Sequence, residues 1–370
     1  MPYARSPLHP LARAPFALCN SDCKYCHFSS KERLYPGSTF RPSDDLLENY
    51  LQQYLESQPG PEIDVAWRDG EPTLLGLDFF RKSIELERKY RRPGTVISNT
   101  IQTNGTLLDD GWCAFFRDNE FLVSLSLDGP KELHDLYRVD ERGLPTFDRA
   151  MRGLRCLQKH GVPVKVLTTV HAVNGDYPVE VYRFLRDEAG AEFIQLIPVV
   201  ERLSSTGCFG GDTVSDRSVG AEQFGRFLIA VFDEWVRRDV GKVFVQTFDG
   251  ALGDVARSPV VDLAASERRR SFGRAKLETL PRCCRDCSVL FACNGGCSKD
   301  RFVRTPEGEP NLNYLCAGYK AFFEHVARPM RRMAALLRAG RPPSDLMREY
   351  VQRAPAQNFV GADESAGAPQ

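Results

Sequence analysis

The sequence predicts an α/β protein in which parallel strands curl into a partial, TIM-like (β/α)6 barrel, followed by a cysteine-rich C-terminal extension. Six short β-rich runs alternate with amphipathic helical patterns, which is typical of a parallel sheet covered by helices. Hydrophobic residues make up 42% of the 370 residues, enough for a sizeable core. Residues 251–320 have weak periodicity and contain half of the 12 cysteines, so something other than a core is expected to organise them.

The predicted strands are short apolar runs bounded by turn-forming residues. They cover residues 12–18, 63–67, 96–103, 121–127, 164–170 and 193–199. Pro15 interrupts the first run, because proline lacks the amide hydrogen that a strand ladder needs.

Helices are predicted between these strands from apolar residues spaced three and four positions apart. The first follows Ser43, which can cap it, and Asp44 and Asp45 place negative charge in its first turn. The other helices are expected at 78–90, 107–117, 147–159, 178–188 and 221–238. We expect three regions: a barrel core at 12–240, the extension at 241–335, and a helix with a disordered tail at 336–370.

Charge and cysteine usage narrow the classes of function. Lys and Arg together number 49, as do Asp and Glu, so we expect neither nucleic-acid nor anionic-membrane binding. We find no signal peptide and no apolar run near the roughly 18 residues of a membrane span. A cytoplasmic location is therefore expected, where clustered cysteines favour metal or redox chemistry over disulfides. Cys113 and Cys156, in apolar helical contexts, are predicted to be core residues.

Chemically useful residues follow the strands at the ends where a parallel barrel carries its active site. These residues are Cys19–Cys26, Arg68–Pro72, Thr103–Gly105, Ser126–Pro130, His171 and Pro198–Glu201. The pattern predicts that one mouth collects them all.

The first cysteine group, Cys19, Cys23 and Cys26, has the spacing C-x3-C-x2-C. Three thiolates on one loop can hold three corners of a [4Fe–4S] cube and leave the fourth iron open to chelate an amine and a carboxylate. A zinc knuckle or three incidental cysteines remain alternatives at this point, although zinc usually takes four ligands from paired C-x2-C units.

A second group has the spacing C-x2-C-x5-C-x3-C and indicates another metal site. Its cysteines are Cys284, Cys287, Cys293 and Cys297, with Cys316 further along the chain. Structural zinc is the alternative that the spacing leaves open.

Long motifs extend this pattern into a family resemblance. The stretches CNSDCKYCHFSSKERLYP, AWRDGEPTLLGLDFFR, NTIQTNGTLLDDGW and SLSLDGPKELHDLYRVD resemble the radical S-adenosylmethionine (SAM) superfamily, and within it the anaerobic sulfatase-maturating enzymes. CRDCSVLFACNGGCSKDR and LNYLCAGYKAFFEHVARPM are similar to the SPASM extension of that family. The resemblance covers about residues 15 to 335.

The resemblance implies roles for individual residues of the mouth. Cys19, Cys23 and Cys26 would carry the SAM-binding [4Fe–4S] cluster. The residues implied to bind SAM are Tyr25 near the adenine, Gly70 and Glu71 at the amino group, Ser126 and Arg138 at the ribose and carboxylate, and Val200 against the adenine. Asp69 stands where the family has the first glycine of a Gly-Gly-Glu turn.

The resemblance also implies an activity and partners. One electron would cleave SAM to a 5′-deoxyadenosyl radical, which takes a hydrogen from the β-carbon of a Cys or Ser in a sulfatase polypeptide and leads to Cα-formylglycine. A reduced flavodoxin- or ferredoxin-like protein would supply the electron.

In the C-terminal region the resemblance assigns Cys284, Cys287, Cys293 and Cys316 to one auxiliary [4Fe–4S] cluster. Cys297 ligates a second auxiliary cluster in the family. The segment with its other cysteines and with the family's proposed base, an Asp, has no counterpart between Cys208 and Cys283. The second auxiliary cluster therefore lacks its family ligands, and the catalytic base stays unassigned.

Three other functions remain open from the sequence. One is radical modification of a different peptide. Another is a degenerate relative that keeps its clusters as structure and binds sulfatases or another maturase. The third is a zinc-bound α/β protein without radical chemistry.

Overall fold

The computed structural model describes residues 12–13, 18–26, 41–58, 60–203, 213–256 and 276–353. Residues 14–17 of the first predicted strand, Cys208, and the predicted tail beyond residue 353 lie outside these ranges.

A parallel sheet forms the centre of the molecule. The described strands are β1 (Ala12–Arg13), β2 (Glu62–Arg68), β3 (Val96–Thr103), β4 (Leu122–Ser126), β5 (Val164–Val170), β6 (Phe193–Pro198), β7 (Arg202–Leu203), β8 (Thr213–Val214) and β9 (Phe244–Val245). Seven of them pair in parallel in the order β1-β2-β3-β4-β5-β6-β9, while β7 and β8 form a separate antiparallel pair. The six predicted strands are thus present, and the short β9, which the sequence analysis did not predict, extends the sheet.

Helices follow most of the strands. They are α1 (Asp44–Ser57), α2 (Leu77–Tyr90), α3 (Asp110–Asp118), α4 (Lys131–Asp135), α5 (Phe147–Lys159), α6 (Pro178–Arg183), α7 (Ala221–Arg238), α8 (Gln246–Ala256), α9 (Arg282–Arg285), α10 (Leu290–Cys293), α11 (Cys316–Arg338) and α12 (Leu346–Arg353). The helix expected at 107–117 begins only at Asp110, because the Asp109 side chain caps it by accepting from the Trp112 amide. The helix expected at 178–188 changes to a π turn at Phe184.

The two faces of the sheet differ in polarity. In β2 the alternation buries Ile63, Val65 and Trp67, and Trp67 packs edge-to-face against Phe79 and Phe80 of α2. This face is therefore the apolar core under the helices. The residues that alternate with the core positions point to the opposite, inner face of the barrel.

A polar row crosses that inner face. The register pairs Gln102 with Ser124, and Ser124 with Lys165, so the three side chains share one face. Trp67 of β2 pairs with Ile101 of β3, so the next residue, Arg68, lies opposite Gln102 and belongs to the same row. Burial, followed by the charge of Arg68, lowers the pKa of Lys165, which places the two cations within electrostatic range. This row of the inner face is thus polar and carries two cations.

The C-terminal helix α11 packs directly on the barrel helix α7. A Cβ added to Gly318 would lie 2.0 Å from the Ala221 carbonyl oxygen, and one added to Gly225 would lie 2.6 Å from the Gly318 Cα. The Phe322 ring also meets the Phe232 ring edge-to-face, 6.3 Å between centroids. Because α11 begins at Cys316 and packs on α7, it attaches the cysteine-rich region to the barrel.

Candidate functional site

The first cysteine loop, residues 18–26, lies at the carboxyl ends of the strands. The Asp22 amide donates to the Val139 carbonyl at 2.8 Å, and the Lys24 amide donates to the Tyr137 carbonyl at 2.9 Å. These bonds attach the loop to the segment after α4, so the barrel sets where the thiols lie.

The thiols of this loop are half-buried and face positive or N–H donor groups. Burial raises the pKa of Cys19 to about 12 and that of Cys23 to about 11, so without a cationic partner both stay protonated. The Asn104 Nδ2 lies 4.0 Å from Cys19 Sγ, and the Arg138 Nη1 lies 3.9 Å from Cys23 Sγ. The Arg138 cation therefore favours negative charge on Cys23, whereas the nearby Glu71 carboxylate opposes it on Cys19, which needs the positive charge of a bound metal centre.

The spacing of the thiols distinguishes the two kinds of metal centre. Tetrahedral zinc with ligands at 2.3 Å brings its sulfurs about 3.8 Å apart. Across the described ranges, no three cysteine sulfurs lie within 4.8 Å of one another. An iron–sulfur cube takes one thiolate at each iron corner and so needs more widely spaced sulfurs. In the described ranges, no three of these sulfurs therefore stand at the spacing of ligands to one zinc ion.

Glu71, directly after β2, is a buried carboxylate with several donors. Its Oε1 accepts from the Thr73 amide at 3.2 Å and from the hydroxyls of Thr73 at 2.6 Å and Thr103 at 2.7 Å. Its Oε2 accepts from the Asn104 amide at 2.7 Å. Burial raises the pKa of Glu71, and these bonds act in the opposite direction. The carboxylate ties the ends of β2 and β3 together beside the cysteine loop, to which the Glu71 amide donates at the Leu18 carbonyl.

The turn before Glu71 has an unusual backbone. Asp69 has φ of 75° and Gly70 has φ of 61°, both in the left-handed region. A glycine adopts this region freely, whereas an L-residue with a Cβ is strained there, Asp less than most. The departure from the family's Gly-Gly-Glu pattern thus falls at a position where the backbone favours glycine.

Asp128, after β4, connects Tyr25 and Arg138. Its carboxylate accepts from Arg138 Nε at 2.8 Å and Nη2 at 3.2 Å, from the Thr169 amide at 2.9 Å, and from the Tyr25 hydroxyl. Burial opposes the charge of Asp128, but the Arg138 guanidinium and these bonds hold its pKa below the ordinary value. The sequence analysis placed Asp128 at the mouth without a role. In the structure, Asp128 binds Nε and Nη2 of the Arg138 guanidinium. The third nitrogen, Nη1, is directed at Cys23.

The remaining residues implied to bind SAM lie at neighbouring strand ends. Ser126 is the last residue of β4 and is buried. Val200 follows β6 and packs, half-buried, against the core. With Tyr25, Glu71 and Arg138 they surround the same mouth, and their contacts with SAM stay a prediction.

His171, immediately after β5, is a further polar group of this mouth. Its Nδ1 accepts from the Val173 and Asn174 amides at 3.3 Å each, which assigns the proton to Nε2. Burial lowers its pKa to about 4, so the ring is neutral. Nε2 is buried and has no hydrogen-bond partner among the described residues. The ring lies 4.4 Å from Tyr137 and 6.0 Å from Tyr25 by centroids. In the sequence, only the position of His171 directly after an apolar strand indicated that it belongs to the mouth.

The second cysteine group forms a cluster within the extension. Cys284 is on α9, Cys293 ends α10, and Cys316 begins α11. Burial raises the pKa of Cys316, and the nearby Cys293 and Cys287 raise it further. Cys316 and Cys293 likewise raise the pKa of Cys284, after burial and the adjacent thiol. The four cysteines that the resemblance assigns to one cluster therefore lie within electrostatic range of one another.

One buried arginine organises the loop that follows α10. Arg301 donates to the carbonyls of Lys276 at 2.6 Å, Asn294 at 3.0 Å, Gly295 at 2.8 Å and Gly296 at 3.2 Å. Cys297 follows this loop and is exposed. Its ligand role, like those of the other C-terminal cysteines, stays a prediction.

None of the helices in the described ranges is both long and apolar enough to cross a bilayer.

The chain is similar to several known proteins. The model of the radical SAM superfamily matches residues 15–185. A serine-type anaerobic sulfatase-maturating enzyme of Bacteroides thetaiotaomicron is 38% identical over 399 positions, which cover 94% of this chain and 96% of that protein. A cysteine-type anaerobic sulfatase-maturating enzyme of Clostridium perfringens is 28% identical, covering 86% of this chain and 96% of that protein. The 399 matched positions exceed the length of this chain, so the Bacteroides protein has residues without a counterpart here.

The solved structures agree with these relatives. A structure described as native anSMEcpe with bound AdoMet and Cp18Cys peptide has a TM-score of 0.73 and is 26% identical, covering 88% of this chain and 98% of that one. A second, described as native anSMEcpe with bound AdoMet, has a TM-score of 0.75 at 28% identity. The fold is that of a radical SAM enzyme. Within that superfamily, the chain belongs to the anaerobic sulfatase-maturating enzyme family.

Proposed function

We propose that this enzyme oxidises a Cys or Ser of a sulfatase polypeptide to Cα-formylglycine, with SAM bound at the mouth of the barrel. The observation that carries the proposal is the cysteine loop with the donor groups of Asn104 and Arg138 directed at its sulfurs. Support comes from relatives of both the serine and the cysteine type, and from the solved relative that binds AdoMet and a peptide.

The residues of the mouth fit a bound cluster and SAM, and each can be given a role. When bound, the [4Fe–4S] cluster and SAM supply the one-electron chemistry that removes a hydrogen atom from a substrate carbon. Cys19, Cys23 and Cys26 would ligate the cluster. Glu71, whose Oε2 accepts one bond from the protein, would accept a second from the amino group of SAM. Arg138, held by Asp128, would direct Nη1 towards the cluster and the carboxylate of SAM.

The polar row inside the barrel is the surface that we assign to the substrate peptide. Gln102, Ser124 and Lys165 are paired across strands and lie below the strand ends that carry the mouth. Lys165 also donates to the Gln246 side chain at 2.8 Å, which keeps its charge on the inner face. Polar side chains here can bind peptide groups while the surrounding barrel excludes bulk water.

For the extension we propose one auxiliary [4Fe–4S] cluster on Cys284, Cys287, Cys293 and Cys316, within a region at 241–335 that follows the barrel of 12–240. Four thiolates would ligate every iron and so suit electron transfer or structural support. A flavodoxin- or ferredoxin-like protein as donor, and a reducing cytoplasm as location, would fit these thiols.

The oxidation defines the test. A Ser side chain loses two electrons and two protons to become an aldehyde. A Cys side chain loses the same two electrons and two protons, and water then replaces its sulfur with oxygen and releases hydrogen sulfide. The anaerobically reconstituted enzyme is incubated with SAM, reductant and a sulfatase peptide that carries Ser, Cys or Ala at the target position. We expect 5′-deoxyadenosine together with an aldehyde on the Ser or Cys peptide, and no aldehyde on the Ala peptide.

Two results would contradict the proposal in different ways. Formation of 5′-deoxyadenosine without change in either peptide would indicate another peptide substrate. Absence of 5′-deoxyadenosine from an enzyme with its full iron content would indicate a relative that keeps its clusters only as structure.

A further inference from the structure

A second group of metal-ligand side chains lies outside the mouth, on two helices of the barrel surface. His160 Nε2 is 2.6 Å from Asp110 Oδ1, and Cys156 Sγ is 3.8 Å from the same oxygen. The three donor atoms all lie within 4.8 Å of one another. No other three His, Cys, Asp or Glu side chains in the described ranges come this close together.

The fold explains why these side chains meet. Cys156 lies in the last turn of α5, and His160 caps that helix by donating its amide to the Cys156 carbonyl at 3.1 Å. Residues four apart on a helix share one face, so the thiol and the imidazole point the same way. Asp110 is the first residue of α3, which packs beside α5. The start of α3 and the end of α5 therefore bring three potential metal ligands to one place.

We propose that Asp110, Cys156 and His160 form a zinc site that joins α3 to α5. Carboxylate oxygen, thiolate sulfur and imidazole nitrogen form a typical zinc donor set. Zinc bonds of 2.0 to 2.3 Å place ligand atoms about 3.3 to 3.8 Å apart, and the two distances to Asp110 Oδ1 bracket this range. Binding releases the proton of the Cys156 thiol to solvent.

The neighbours of the group are compatible with a bound cation. Two anionic ligands, Asp110 and Cys156, would neutralise Zn²⁺, so the ion adds no net charge beside Lys159. Lys159 Nζ lies 2.9 Å from Asp110 Oδ1, but its side chain is 69% exposed and free to turn into solvent. On the protein side, the buried Cys113 thiol lies close enough to Cys156 for the two sulfurs to interact. Because Asp110 is exposed, a water molecule can complete the coordination.

The test measures zinc and iron together in the full-length enzyme with its clusters. The protein is incubated anaerobically with ZnCl2, desalted, and both metals are counted by mass spectrometry. We expect one zinc per chain in the unmodified enzyme, and loss of that zinc in His160→Gln and in Asp110→Asn with the iron content unchanged. Asp110→Asn is a conservative change of an exposed side chain, so it tests the site even if His160→Gln folds poorly.

A matched control is present in the same chain. His325 Nε2 lies 2.7 Å from Asp233 Oδ1, also on two helices, without belonging to a three-donor group in the described part of the chain. His325→Gln should keep its zinc. X-ray absorption at the zinc edge should show one sulfur at about 2.3 Å with nitrogen and oxygen at about 2.0 to 2.1 Å. Equal zinc in all variants, an all-sulfur shell, or no zinc in the unmodified enzyme would each overturn the proposal.

Discussion

The two cysteine groups are held in place by different kinds of contact. The first loop is positioned by distant parts of the barrel, because Asn104 and Arg138, which face its sulfurs, come from the ends of β3 and the segment after α4. In the second group, Arg301 donates to four carbonyls between residues 276 and 296, whereas Cys316 begins α11, which packs on α7 of the barrel. The sheet ends thus place the first group, whereas local turns and one docked helix place the second.

This difference has a functional meaning. A loop held by the barrel can keep its geometry with one cluster corner left open for SAM. A segment whose neighbouring thiols raise one another's pKa, as Cys293 and Cys287 do for Cys316, gains most from a fully ligated cluster.

Removal of one ligand from each group should have unequal consequences. Cys23→Ala should reduce 5′-deoxyadenosine formation to background, because the open-cornered cluster loses one of its three ligands. Cys287→Ala should lower the iron content by about four atoms per chain and leave SAM cleavage detectable. Iron analysis and chromatography of the SAM products measure both. Loss of all iron in Cys287→Ala would mean that the two groups are not independent.

The buried ion pair beside the first group should matter for global stability. Asp128→Asn leaves the Arg138 guanidinium without its counter-charge and should lower the free energy of unfolding by about 3 to 5 kcal/mol. Arg301→Lys should loosen mainly the extension, because its bonds stay within that segment. Urea unfolding and hydrogen exchange distinguish the two outcomes. If Arg301→Lys destabilised the whole protein and Asp128→Asn did not, the expected difference between the two regions would be wrong.

Acid should weaken the barrel through two buried histidines. Burial lowers the pKa of His171 to about 4 and that of His134 to about 3, whereas unfolding restores values near 6.5. The unfolded chain therefore binds more protons below pH 6.5, and stability is lost as the pH falls from about 6.5 towards 4. The urea midpoint should drop between pH 7 and pH 5, and less so in His171→Gln. An unchanged pH dependence in that variant would contradict the assignment.

The smallest effects are expected at the left-handed residues of the two regions. Asp69 and Asn294 have φ of 75° and 50°, so glycine can replace either without backbone strain. Asp69→Gly should raise the free energy of unfolding by up to about 1 kcal/mol, and Asn294→Gly should change it less, because Asn tolerates this region best. Thermal unfolding under identical conditions measures both. A large destabilisation by Asp69→Gly would show that its side chain has a structural role.

Local patterns in the sequence determined most of the architecture. The alternation in β2 and the helical spacing after Ser43 depend on neighbouring residues, so strands and helices could be predicted within a few positions. The C-x3-C-x2-C spacing likewise predicted a metal site on the first cysteine loop, and its ligands stay a prediction. β9 was missed because a two-residue strand has too few positions to show a period.

Tertiary structure alone decided which side chains meet. Tyr25 and Asp128 are 103 residues apart, and Asp110 and His160 are 50 apart, so no local period links them. The fork of Arg138 is bound to Asp128, the Nε2 of His171 is buried beside two tyrosine rings, and Cys156 faces a histidine and a carboxylate. A sequence determines the local conformation of each segment through its own backbone and side-chain preferences. Contacts between segments depend on how the sheet and its helices pack, which is a property of the whole chain.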